Sequence, residues 1–143
     1  MRPVKHLTTP STLYPMNIAF LAYDLFHDVH GRSPGSNSEG LEADLESMES
    51  LVEEIYHTLW TTSGSTFDAN HPQDSEISRS KAEVKTYCHE ITRAGGGELH
   101  NISALTGGLV AQEVIKIITK QYIPMDNLCL YDGIAGKMEV FRS

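Results

Sequence analysis

The sequence predicts an α/β protein in which helices dominate, and three observations carry that prediction. The stretch from Gly96 to Gln121 is apolar on nearly every face, yet it holds Gly107 and Gly108 in its interior. Three segments ahead of it carry apolar residues at helical spacing. Two short alternating runs follow it, separated by a glycine-bearing turn.

Residues 1–14 are polar and proline-containing and form a flexible lead-in. Pro15 suits the first turn of a helix, where a missing N–H costs nothing. Ile18, Leu21, Leu25 and Val29 then recur at helical spacing, with Ala19, Ala22 and Phe26 as a second stripe. Gly31 is the expected stop, and the loop Gly31-Arg32-Ser33-Pro34-Gly35-Ser36-Asn37-Ser38 is built from turn residues. Leu41, Leu45, Met48, Val52, Ile55 and Leu59 mark a second, strongly amphipathic helix. Its remaining surface is given to Glu39, Glu42, Asp44, Glu46, Glu49, Glu53 and Glu54, a solvated acidic face. From Thr61 to Ser78 the chain turns polar and loses its period, which predicts an exposed insertion over 61–78.

Ser80-Lys81-Ala82-Glu83 fits a capping box opening a third helix, with Val84, Cys88 and Ile91 on its apolar side. Gly95-Gly96-Gly97 ends that helix. The long apolar helix runs from about Asn101 to Gln121 and, being apolar all round, is expected to be buried on several sides. A helix-interior glycine costs about 1 kcal/mol relative to alanine, so Gly107, Gly108 and Ala111 predict a place where another backbone packs close. Leu128-Cys129-Leu130-Tyr131 and Lys137 to Arg142 are the predicted strands, with Asp132 to Gly136 as the turn. The organisation is therefore a helical portion over 15–95 and a helix with a hairpin over 96–143. A lone hairpin is marginal in water, so the back portion calls for a sheet that this chain does not supply.

At 143 residues the chain is one domain or part of one. Its 40% apolar content allows a modest core. A net charge of −8 argues against nucleic acid and anionic membranes as partners, because both are held through basic patches. It suits a protein that meets basic or neutral protein surfaces. Met1-Arg2-Pro3-Val4-Lys5-His6 has no apolar signal core. No uncharged apolar run reaches the ~20 residues of a membrane-spanning helix. Cys88 and Cys129, the only cysteines, are widely separated. They read as reduced thiols, which sets the cytoplasm and nucleus as the expected compartments.

The chemistry-bearing residues are few. Cys88 beside His89 suggests a nucleophile and base, but neighbours on a helix point about 100° apart and Cys88 falls on the apolar stripe. A buried structural thiol is the better reading, and Cys129 is expected to be a small core residue. His27 and His30 share one helix face, but zinc needs three or four ligands. His57, His71, His89 and His100 are scattered without motif spacing. Gly95-Gly96-Gly97 precedes a helix, as an anion cradle does, but it follows a helix rather than a strand and reads as a turn. No Gly-x-Gly-x-x-Gly follows a predicted strand, so no nucleotide cradle is assigned. The expected catalytic, cofactor-binding and metal-binding residues are none.

The run Gly107-Gly108-Leu109-Val110-Ala111-Gln112-Glu113-Val114-Ile115-Lys116, followed by Asn127 and Tyr131-Asp132-Gly133, resembles the C-terminal end of ThiF-type adenylation domains. These domains define the ubiquitin-activating enzyme superfamily. The string continued through Ile117-Ile118-Thr119-Lys120-Gln121 is most similar to the regulatory subunits of the neddylation activating enzyme. Phe26-His27, Gly31-Arg32-Ser33-Pro34-Gly35, the acidic helix, and Cys88-His89 leading to Gly97-Glu98-Leu99-His100 agree with their helical region. The resemblance covers about residues 15–143. It implies the C-terminal part of a Rossmann-like ThiF domain plus part of a helical half-domain. It further implies a non-catalytic role in a heterodimer whose catalytic subunit uses ATP and magnesium to adenylate a ubiquitin-like modifier and then holds it as a thioester. The opening strands and glycine-rich turn of a ThiF domain are not in this sequence. Three alternatives remain open: a SUMO-type regulatory subunit, an adenylating enzyme in its own right, and a truncated product without independent function.

Overall fold

A computed structural model describes residues 12–37, 40–62 and 72–141. The chain divides into two compact units, Arg2–Gly96 and Gly97–Ser143. The described residues form four helices and one two-stranded antiparallel sheet, an α/β composition in which helix predominates. The predicted lead-in lies almost wholly outside the described residues.

In the first unit, α1 (Tyr14–His30), α2 (Leu41–Thr62) and α3 (Pro72–Ala94) each pack against the other two. Their shared core is Ile18, Ala19, Ala22 and Phe26 from α1, Met48, Val52 and Tyr56 from α2, and Val84 and Cys88 from α3. Each large apolar side chain buried there stabilises the unit by about 1.5–3 kcal/mol. Pro15 sits in the first turn of α1, and Gly31 closes it at φ 65° with its N–H on the His27 carbonyl at 2.8 Å. The core face of α1 is the stripe of Ala19, Ala22 and Phe26 together with Ile18. Leu21, Leu25 and Val29 remain 40–70% exposed, so only part of the wide apolar arc read from the sequence is covered. The alanines offer low relief, so two neighbouring helices approach α1 on that side.

Two boundary expectations are corrected. The stretch 61–78 is not wholly an irregular insertion: α2 continues to Thr62 and α3 begins at Pro72, while 63–71 lie outside the described residues. Ser80 is therefore not a helix cap. It lies inside α3 and is buried, its hydroxyl 3.0 Å from that of Tyr56. A serine that finds a partner across a helix seam has no need of its own backbone, which is why the capping pattern misleads here. The end of α3 is as expected. Gly95 and Gly96 adopt φ 57° and 81°, and the Gly95 N–H is shared between the Ile91 and Thr92 carbonyls.

The second unit holds α4 (His100–Thr119) and the hairpin of β1 (Leu128–Asp132) and β2 (Lys137–Phe141). The strands pair in register from Leu128 opposite Phe141 to Asp132 opposite Lys137. Leu130 and Phe141 are the buried side chains of one hairpin face. Its other face carries Cys129, Tyr131, Met138 and Val140, the last two clearly exposed. Cys129 is thus half-buried rather than a core residue. Asp132 organises the turn by accepting the N–H groups of Ile134 and Ala135. The Cδ1 of Ile102 lies so close to Gly133 that a Cβ there would come within 2.7 Å of it. This contact ties the start of α4 to the hairpin turn.

The expectation that α4 is buried on several sides is not met in this chain. None of its residues is buried, and a Cβ added to Gly107 or Gly108 meets nothing within 4 Å. Periodicity reports how apolar a helix is, but the covering surface has to come from elsewhere in the fold. Of the α4 residues, only Ile102, Leu109, Glu113 and Lys116 are partly screened. By length and composition alone, α4 is also apolar enough to cross a membrane. That qualifies the sequence reading that no run is long enough, although α4 contains the Glu113–Lys116 ion pair at 2.6 Å.

Candidate functional site

The most elaborate polar constellation in the first unit is one the sequence reading did not single out. Arg32, just past the α1 stop, forms a two-pronged ion pair with Asp44 in the first turn of α2, at 2.7 and 2.6 Å. Asp44 also accepts the Gly35 N–H at 2.9 Å. The Arg32 guanidinium lies 5.3 Å from the Phe26 ring centroid, and His30 stacks on Phe26 at 4.1 Å. A planar guanidinium suits this dual task of bidentate pairing and aromatic stacking. The Arg32 hydrogen bonds hold the Asp44 carboxyl below the usual carboxylate range, against an opposing effect of burial. The arrangement pins the 31–37 loop to α2, a structural latch rather than a catalytic pair. Asp44 was assigned to the solvated acidic face, and the structure corrects this: it is 3% exposed. The signal was present, because Asp44, Met48, Val52 and Tyr56 recur every four residues. An aspartate on an apolar stripe asks for a partner.

The loop is pinned a second time by backbone. A Cβ on Gly35, at φ 73°, would lie 1.7 Å from the Thr92 carbonyl oxygen, and one on Gly95 would lie 2.8 Å from the Gly35 carbonyl oxygen. The glycine turn expected at 95–97 thus also receives the 31–37 loop.

Cys88 is 1% exposed on the inner face of α3, and burial pushes its thiol up to about 11, with the nearby Glu49 charge adding to the shift. A thiol held protonated at neutral pH is a poor nucleophile. His89, one residue on, is exposed on a different side of α3, so the two do not form a nucleophile–base pair. An open depression between α2 and α3 lies over this region, lined by Leu45, Glu49, Lys85, Thr86 and His89.

His27 and His30 both lie in the last turn of α1, where the Nδ1 of His30 is 3.1 Å from the Phe26 carbonyl. No three His, Cys, Asp or Glu side chains gather in metal-binding fashion among the described residues. His71 lies outside them. The acidic face of α2 is partly used within the unit: Glu53 pairs with Lys81 at 2.6 Å and Glu49 with Lys85 at 2.8 Å. Exposed pairs of this kind add little stability each. Glu39 lies outside the described residues.

No protein-family model matches the chain. Its sequence relatives share one description: the chain is similar to regulatory subunits of E1-type activating enzymes. Those relatives are NEDD8-activating enzyme E1 regulatory subunits, to which the chain is similar over about four fifths of its own length. The subunit of Drosophila melanogaster is 37% identical over 118 residues, 82% of this chain and 19% of its own length. That of Caenorhabditis elegans is 32% identical over 117 residues, 82% of this chain and 20% of its own. The AXR1 subunit of Arabidopsis thaliana is 29% identical over 125 residues, covering 87% and 20% respectively. The chain therefore spans about one fifth of the length of these relatives.

Proposed function

We propose that this chain contributes a non-catalytic, regulatory scaffold to a NEDD8-activating enzyme. The observation that carries the reading is its kinship with regulatory subunits of that enzyme over more than four fifths of its residues. In this reading α4 and the hairpin complete a ThiF-type, Rossmann-like body, and the three-helix unit belongs to a helical half-domain. The uncovered apolar surface of α4 and of the outer hairpin face agrees with elements that finish a larger fold. The partner is the catalytic subunit, in a heterodimer that also meets the ubiquitin-like modifier. Adenylation and thioester formation, with their ATP and magnesium, belong to that subunit. The protein works in the cytoplasm and nucleus, without nucleic acid or membrane. The buried, protonated thiol of Cys88 agrees with a role that needs no nucleophile from this chain.

Co-expression with the catalytic subunit of the NEDD8-activating enzyme tests this, with the catalytic subunit of the SUMO-activating enzyme as control. Selective, stoichiometric capture is expected. Soluble protein captured by neither would overturn the scaffold role of this chain.

The length and composition of α4 favour a second reading, insertion in a membrane. Against it, Glu113 is held by both Lys116 and the Met125 N–H, which fastens a charged pair to the segment leading into the hairpin. Charges within a spanning helix are costly. Co-sedimentation with neutral phospholipid vesicles separates the two readings: recovery in the supernatant is expected.

A further inference from the structure

We draw no further inference here: the strongest candidate, the exposed apolar face of α4 running from Val110 through Val114 to Ile117 and Ile118, carries nothing because nothing in the structure shows what covers it.

Discussion

The hydroxyl groups of Tyr56 on α2 and Ser80 on α3 meet at 3.0 Å inside the helical unit, a buried polar contact between two helices. Removing one partner leaves the other buried without a hydrogen bond, a loss of about 1–3 kcal/mol. Ser80→Ala and Tyr56→Phe are each expected to lower stability by about that much. The double variant is expected to lose less than the two single losses combined, as urea melts of all four proteins would reveal. Burial pushes the Tyr56 phenol up to about 12. The folded state therefore favours the protonated phenol. That contribution is intact below pH 10 and fades as pH rises from 10 towards 12. A spectrophotometric tyrosine titration checks the direction.

Asp44 behaves in the opposite sense. Its folded pKa lies below the ordinary value because Arg32 holds the carboxylate. Its stabilisation is therefore present at neutral pH and disappears as pH falls below about 3.9 and on through the folded pKa. Asp44→Ala is expected to cost about 1–3 kcal/mol at pH 7. The gap in melting temperature between the parent and Asp44→Asn is expected to narrow steadily on acidification. A gap independent of pH would contradict the ion-pair account.

Gly31 and Gly35 both have positive φ, but their surroundings differ. A Cβ at Gly31 meets open space, whereas one at Gly35 collides with the Thr92 backbone. Gly31→Ala is expected to cost only the left-handed penalty, about 1–2 kcal/mol. Gly35→Ala is expected to exceed it by at least ~2 kcal/mol, since backbone on both sides has to move. Thermal melts of the two variants measure the difference directly.

The two thiols are expected to separate cleanly under a disulfide reagent at neutral pH. Cys129 is half-buried and Cys88 buried with a raised pKa. Cys129 is expected to react first and Cys88 only on unfolding. Fast labelling of both in native buffer would mean that the α1–α3 core opens readily.

Gly108 gives a prediction whose sign depends on context. In this chain alone, Gly108→Ala is expected to stabilise α4 by up to about 1 kcal/mol, because its Cβ meets nothing. Where a surface covers α4, as the proposed ThiF-type body would, Gly108→Leu is expected to cost about 1–3 kcal/mol by overpacking. Melts of the chain alone and with α4 covered distinguish the two settings.

The helices and hairpin were legible because apolar spacing and turn residues are local. Gly31 and the triple glycine marked helix ends, and Asp132 to Gly136 marked the hairpin turn. Long-range pairing was not legible in the same way. The seam partner of Ser80 is 24 residues away, and the anion that holds Arg32 is 12 residues on, beyond any helical repeat. Which of the two apolar arcs of α1 is covered is not legible for a related reason: periodicity finds both, and only tertiary packing chooses between them. Helical geometry alone places Cys88 and His89 on different sides of α3, which is where the structure has them. What α4 packs against is not legible, because an apolar helix face records that it is to be covered and not by which surface.

An uncovered apolar helix also has a cellular meaning. Chaperones and proteases act on exposed apolar surface, and small differences in its protection change abundance several-fold. With Val110, Ile115, Ile117 and Ile118 in the open, covering α4 is expected to slow proteolysis of this polypeptide, and limited proteolysis measures that.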